Sequence, residues 1–511
     1  MWHMAHTPKL LYLQMVSRVA QMVASGALQT GQRLPSVRES AVQNGVSVAT
    51  VVQAFRHLEE HGVLQPRPKS GYFVTPASKA KATNLLRKLD HGTDSPQAPK
   101  PEKTKQHAAN PTPKSFVNFA GYCPKDRDFF DVDRVRIALS RATRLQRETL
   151  TEYTTSVGTL ALRNAVALRA LHLGCALKAD DIVITSSCIH AIDMCLQAVT
   201  KPGDMVAIES PTFYGFLDLL ESLGLKALAL PTDARTGVSL QALQLALDTQ
   251  PIKALLLVPT LSNPLAAVMP LTHKRALAKL VAQYRVPLIE DVVFNDLLAT
   301  DARRRAVKAY DTEGWVLTCG SFAKTVSPGI RLGWVDGGRW SKELATLKRV
   351  RGTATNAVLE YALADLLTQG SYEGHLRRLC MLMKERLVQA RKLVQTHFPK
   401  GTKVNDPPAG YTLWVELPEV VDSLRLFEMC KALGITIGPG RLFCASARYQ
   451  HFLRLSFAGN WGPKEQAALA EVGRQACLLV THSEDQTSST PLEVSRIDFM
   501  STASVSAHDL W

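Results

Sequence analysis

Six short apolar runs fall between residues 181 and 335: "DIVIT", "MVAIE", "ALLLVP", "VPLIE", "WVLTC" and "IRLGWV". Each is nearly continuous rather than alternating, the pattern of a strand buried on both faces. Helical stretches separate the first four. That arrangement predicts an α/β domain around an open, mostly parallel sheet, with ligands bound at the carboxyl ends of the strands. The glycine fingerprint of dinucleotide sites, the phosphate loop G-x-x-x-x-G-K-[ST] and the zinc motif H-E-x-x-H do not occur in the chain, so three common chemistries lack their usual signatures.

At 511 residues the chain is too long for one ordinary domain. A composition of 46% hydrophobic and 21% charged residues is that of a soluble globular protein. No apolar run approaches the ~20 residues needed to cross a bilayer. The first residues carry no cleavable signal pattern. Nine cysteines without a C-x-x-C pair fit reduced thiols, and a cytoplasmic location is expected. The net charge of +15 is uneven. Residues 1–76 hold seven Lys/Arg against three Asp/Glu, and residues 77–115 hold eight against three. Such a basic front favours a polyanionic partner. Composition divides the chain into a compact segment 1–76, a Pro/Lys-rich linker 77–115, a large domain 116–480 and a Ser/Thr-rich tail 481–511 expected to be disordered. Within the linker, "ATNLLRKLD" can form a short helix.

In the front segment, "LYLQMVSRVAQMVASG" repeats Met15, Val19, Met22 and Val23 at helical spacing before Gly26. "LPSVRESAVQNG" sets Ser36 three residues before Glu39, a capping box that opens a second helix. "VSVATVVQAFRHLEEHG" offers Ser47 as the N-cap of a third, with Val51, Phe55 and Leu58 on one face. "VLQPRPKSGYFVT" reads as a hairpin. Three helices and a hairpin make a winged helix-turn-helix, whose third helix can enter a major groove while a basic wing lies on phosphates. Residues 31–74, "GQRLPSVRESAVQNGVSVATVVQAFRHLEEHGVLQPRPKSGYFV", resemble the GntR family of bacterial regulators. The resemblance implies double-stranded DNA as partner and Arg33, Arg38, Ser47, Thr50, Lys69, Ser70 and Gly71 as the DNA-contacting residues. Val48 stands where many members carry an arginine.

Polar residues cluster just after the expected strand ends. Ser186 and Ser187 follow "DIVIT" and open a helix, where free N–H groups accept a phosphate. Asn263 follows "ALLLVP", Asp291 directly follows "VPLIE", and Lys324 follows "WVLTCGSF", with Arg331 seven residues on. An amine near a carboxylate, an amide, a guanidinium and an anion-binding helix start is the set that pyridoxal phosphate requires. The lysine condenses with the aldehyde, and the aspartate keeps the ring nitrogen protonated.

"SFAKTVSPGIRLGWV" is similar to the cofactor-lysine motif of the fold-type I aminotransferases. That resemblance implies a mostly parallel large sheet with a smaller C-terminal α+β subdomain. It further implies Lys324 as the residue forming the internal aldimine with pyridoxal 5'-phosphate, Asp291 at the ring nitrogen and Asn263 at the ring hydroxyl. Phe213 would stack on the ring, Ser187, Cys188, Ser321 and Arg331 would hold the phosphate, and Arg454 would take a substrate or effector carboxylate. The fusion of the two halves resembles the MocR subfamily of GntR regulators. It implies a homodimeric transcription factor that senses an amine or amino acid. Phe294 replaces a tyrosine common in relatives, and a phenyl ring cannot hydrogen-bond the cofactor. A catalytically active aminotransferase with an appended DNA-binding domain, and a cofactor-free repressor, stay open as alternatives.

Overall fold

The computed structural model describes residues 11–67, 71–76, 78–90, 117–121, 128–298, 301–352, 354–444 and 447–487. The chain divides into two compact units, Met1–Ala108 and Ala109–Trp511.

The first unit comprises helices α1 (Leu11–Ser25), α2 (Val37–Asn44) and α3 (Val48–Glu60), strands β1 (Leu64–Arg67) and β2 (Gly71–Val74), and helix α4 (Ser78–Asp90). The capping box at α2 is complete: Glu39 N–H donates to Ser36 Oγ at 3.3 Å, and Ser36 N–H donates to Glu39 Oε2 at 2.8 Å. Gly45, at φ 63°, ends α2 in the left-handed conformation, which costs glycine least. Ser47 caps α3 by accepting from Thr50 N–H at 3.1 Å. Val16, Ala20 and Val23 pack with Val51, Phe55 and Leu58 in one core. Met22, expected on that stripe, is 40% exposed, because the helical turn centres the buried face on Val16, Val19, Ala20 and Val23. β1 and β2 pair antiparallel, Leu64 opposite Val74. Helix α4 buries Ala82 and Leu85 in the same core, so this unit extends past the boundary at 76 into the segment read as linker. Residues 91–116 lie outside the described residues.

The second unit begins with β3 (Val117–Asn118), α5 (Val132–Leu145) and α6 (Leu160–Ala170). The strand–helix alternation follows: β4 (Ile182–Thr185), α7 (Cys188–Val199), β5 (Met205–Ser210), α8 (Tyr214–Ser222), β6 (Lys226–Asp233), β7 (Gly237–Val238), α9 (Leu240–Thr249), β8 (Ile252–Leu257), α10 (Leu271–Tyr284), β9 (Leu288–Asp291), β10 (Val316–Ser321) and β11 (Gly333–Asp336). These eight strands form one sheet in the order β4-β11-β10-β9-β8-β5-β6-β7. Neighbours from β10 through β6 run parallel. β11 runs antiparallel to both β10 and β4. Two strands absent from the sequence reading, β6 and β7, close one edge.

After the sheet come α11 (Ser341–Arg351), α12 (Ala357–Thr368) and the long α13 (Ser371–His397). A smaller subdomain follows: β12 (Lys403–Val404), β13 (Thr412–Glu416), α14 (Ser423–Ala432), β14 (Ile435–Thr436), β15 (Gly438–Pro439), β16 (Phe452–Ser456) and α15 (Pro463–Thr487). Its four-stranded antiparallel sheet has the order β12-β13-β16-β15, and β14 pairs with β3. Helix α15 runs seven residues beyond position 480, where the tail was expected to start; residues 488–511 lie outside the described residues.

Charge is also buried in the large sheet. Lys274 on α10 is fully enclosed, and its Nζ donates to Thr260 Oγ1 at 2.6 Å, Arg303 O at 2.8 Å and Arg305 O at 2.7 Å. Burial pulls its ammonium down to about 8. Glu290 on β9 accepts from Val307 N–H at 2.7 Å and Lys308 N–H at 3.0 Å. Together the two residues fasten the segment 301–311 to the end of the sheet. Lys274→Met leaves the buried Thr260 hydroxyl and two part-buried carbonyls without this donor and is expected to cost about 2–5 kcal/mol. The urea midpoint measures this, and a loss below about 1 kcal/mol would show that the amine contributes little net.

Candidate functional site

Sheet topology decides where the polar residues meet. Parallel strands β4, β5, β8, β9 and β10 all end on one edge. Because β11 returns antiparallel beside β10, the connection between them starts and finishes at that same edge. Ser321 closes β10, Lys324 lies in the turn, and Arg331 precedes β11, with Ser321 directly opposite Gly333 in the ladder. Asp291 ends β9, opposite Cys319 of β10.

A cavity of about 350 Å³ opens at this edge, within the range of small-molecule sites. Ser187, Cys188, Phe213, Asn263, Asp291, Ser321, Lys324 and Arg331 all line it, as does Phe294. All eight residues expected around a cofactor therefore border one space. Arg454 is not on its wall. It lies fully buried on β16, where its Nη1 donates to Asn263 Oδ1 at 3.2 Å and its Nη2 to Ala120 O. Its guanidinium sits over the Phe443 ring at 5.0 Å. Arg454 thus meets the cavity through Asn263.

The carboxylate of Asp291 is buried, which raises it to about 6. Hydrogen bonds oppose that rise: Val293 N–H at 2.9 Å and the Cys188 thiol at 3.3 Å both donate to Oδ1, and the charge of Lys324 acts in the same direction. The thiol of Cys188 is pushed well above its usual range by burial and by Asp291, so it remains a protonated donor. Asn263 Nδ2 is buried and has no hydrogen-bond partner among the described residues. A buried donor of this kind costs free energy unless something accepts from it.

Helix α7 starts at Cys188, with Ser187 accepting from His190 N–H at 3.1 Å. The remaining N–H groups of its first turn form an anion-attracting end. Gly333 lies against it. A Cβ at 333 would come within 2.4 Å of the Ser187 carbonyl carbon and 2.7 Å of Cys188 N, so only glycine lets the lysine-bearing connection approach the helix start. Arg331 holds a left-handed backbone at φ 53°. Phe213 caps α8 and packs edge-on against Phe216, ring centres 5.5 Å apart. The phenyl ring of Phe294 meets Tyr411 edge-on at 6.2 Å.

Sequence reasoning passed over Glu209, at the end of β5. Its Oε2 accepts from Val258 N–H at 3.0 Å, and burial with Asp291 nearby lifts it to about 8. A glutamate closing the apolar run "MVAIE" was the visible signal. Gly333 was also passed over, though a glycine inside "IRLGWV" signals a close backbone approach.

In the first unit, Arg33 and Arg38 are exposed, Ser47 caps α3, and Thr50 Oγ1 lies 2.8 Å from Ser47 Oγ. Arg33 bridges to Phe73 on β2, which ties the basic residue to the wing. Gly71 sits at φ 96°, with Arg33 Nε 3.6 Å from where its Cβ would be. Val48, in the first turn of α3, is half-exposed. Lys69 and Ser70 lie outside the described residues.

Known proteins agree with this division. Residues 11–74 match the bacterial regulatory proteins of the gntR family, and residues 117–469 match aminotransferase class I and II. The chain is 34% identical over 474 residues to the HTH-type transcriptional regulator YdcR of Escherichia coli, covering 91% of this chain and 98% of that one. It is 26% identical over 459 residues to the probable rhizopine catabolism regulatory protein MocR of Rhizobium meliloti, covering 88% and 90%. Among solved structures, LysN, the α-aminoadipate aminotransferase of Thermus thermophilus, shares the fold with a TM-score of 0.67 at 23% identity, over 72% of this chain and 94% of its own. The kynurenine aminotransferase of Pyrococcus horikoshii does so at 0.66 and 23%, over 78% and 94%. This chain belongs to the MocR-like HTH-type transcriptional regulators, in which a gntR-family DNA-binding domain precedes a class I and II aminotransferase domain.

Proposed function

We propose that this regulator holds pyridoxal 5'-phosphate through Lys324 and uses it to sense an amine or amino acid. The carrying observation is that Lys324 and the buried Asp291 border one cavity at the carboxyl edge of the sheet. The aminotransferase fold family depends on that cofactor, and the residues present suit it. When bound, pyridoxal phosphate supplies an aldehyde that reacts with primary amines and a ring that withdraws electrons.

In this reading, Lys324 presents its amine to the cavity, and Asp291 holds a proton at the ring nitrogen. Asn263 Nδ2, lacking an acceptor among the described residues, would donate to the ring oxygen, and Phe213 would cover the ring. The α7 start, Ser321 and Arg331 hold the phosphate. An effector amine suits the site because it can take the place of the lysine amine. Arg454, beside Asn263, favours an effector that also carries a carboxylate. Phe294 brings no hydroxyl to the ring, which favours sensing over rapid turnover.

The DNA partner is read through α3 and the wing, with Arg33, Arg38, Ser47, Thr50, Lys69, Ser70 and Gly71 at the contact. A homodimer fits the apolar surface along α5 and α6, where Leu145, Leu150 and Leu160 are exposed and Tyr153 is 98% exposed. Among the described residues no helix is long and apolar enough to cross a membrane. A DNA partner in a bacterial-type regulator supports a cytoplasmic location.

Purified wild type is expected to take up pyridoxal phosphate and show visible absorbance that amines alter. Lys324→Ala should abolish that absorbance, and Asp291→Ala should weaken retention at least tenfold, about 1.4 kcal/mol. Wild type that takes up no cofactor would overturn the reading, and sustained conversion of amino acid to keto acid would favour a working aminotransferase. For DNA, Arg38→Ala is expected to weaken binding to duplexes selected by the wild type and to reduce the salt slope by about one. An unchanged slope would remove Arg38 from the phosphate contacts.

A further inference from the structure

Lys324 is followed by Thr325, whose side chain is buried. The turn carrying both is tight: Phe322 O accepts from Val326 N–H at 2.7 Å and from Thr325 and Ser327 N–H at 3.3 Å. Two residues from the start of α13 grip Thr325. The Tyr372 phenol reaches Thr325 Oγ1 at 2.8 Å and Asp296 Oδ2 at 3.3 Å. His375 Nε2 lies 2.7 Å from Thr325 O. Arg378 Nη2 donates to His375 Nδ1 at 3.0 Å. With Nδ1 accepting, the proton of a neutral ring sits on Nε2 and is donated to Thr325 O.

The grip is itself anchored. Asp296, five residues after Asp291, pairs with Arg169 Nη2 at 2.9 Å, and Arg169 also binds Glu373 and stacks over the Tyr372 ring at 4.7 Å. Burial and Asp296 push the Tyr372 phenol well above its usual range, so it stays a donor. A cleft of about 20 Å³, room for one water, opens beside Thr325, Val326, Tyr372 and His375. Helix α13 then continues away. Leu379 and Met383 enter the core of the large sheet, and Leu387, Ala390 and Val394 enter that of the small subdomain.

We propose that Tyr372 and His375 are positioning residues: they clasp the backbone and hydroxyl of Thr325, fix Lys324 from behind, and link its position to α13 and so to the small subdomain. This inference rests on the cofactor reading above. The Tyr372 phenol joins the lysine turn to the segment following Asp291, so one hydroxyl registers both ends of the site. A shift of Lys324 on effector binding then has a direct mechanical route into a helix shared by two cores.

The test uses the full chain loaded with pyridoxal phosphate. Tyr372→Phe and His375→Leu are expected to shift the pH midpoint of the lysine-dependent absorbance and to speed cofactor release roughly fivefold each, about one hydrogen bond. His375→Gln, which retains a side-chain N–H, should restore most of the wild-type midpoint. Thr325→Val removes the same bond from the turn side and serves if Tyr372→Phe does not fold. Combining the two changes in a folding background should add little to either. Wild-type midpoints and release rates in Tyr372→Phe, His375→Leu and Thr325→Val overturn the clasp. Loss of lysine-dependent absorbance in the wild type itself overturns the cofactor reading and the clasp together, and the Lys324→Ala control identifies that case.

Discussion

The antiparallel seat of β11 between β4 and β10 is the constraint on which the rest of this site depends. A strand entered from the same edge that β10 leaves forces the intervening residues to stay at the carboxyl ends of the parallel strands. Lys324 and Arg331 are held there by topology, beside Asp291 on the neighbouring strand. The contact is closed by Gly333, whose missing side chain lets the backbone rest on Ser187 and Cys188. One absent methyl group thus sets the distance between an amine-bearing turn and an anion-binding helix start.

Burial gives the assembled groups their character. Asp291 and Glu209 are both lifted by desolvation, and each is kept from isolation by a backbone N–H. Asp291 also faces a cationic amine and a thiol donor, so its ionised form is the better supported of the two. Lys274 and Glu290 do structural work of the same kind on the other side of β9, fastening a loop instead of meeting a ligand. The contrast separates buried charge that lines a cavity from buried charge satisfied wholly within the fold.

Much of this was legible in the sequence because strongly periodic or doubly buried segments announce themselves. The caps Ser36 and Ser47, the strands flanking Asp291 and Lys324, and Ser187, Asn263, Asp291, Lys324 and Arg331 of the cavity wall were readable from local pattern and spacing, whereas Cys188, Phe213 and Ser321 followed only from the resemblance to the fold-type I aminotransferases. Strand β6, next to the short edge strand β7, was not readable in this way. "KALALPTD" is largely solvent-facing at its margins, so it lacks the continuous apolar run that marks a central strand. Helix α4 reads as a polar linker by composition, and Ala82 and Leu85, small signals in a basic stretch, help dock it to the front core. Tyr372 and His375 carry no motif; on α13 they are nearly fifty residues from the turn they hold.

The sequence by itself determined the two-part architecture, the class of each part and the chemical inventory of the site, because caps, periodicity and strand-end residues act over a few positions. Tertiary structure alone decided that Arg454 approaches through Asn263 instead of lining the cavity, that Cys188 donates to Asp291, and that a distant helix grips Thr325. Those outcomes arise from contacts between residues remote in the chain, where the spacing is set by sheet order and packing, and no local preference encodes it.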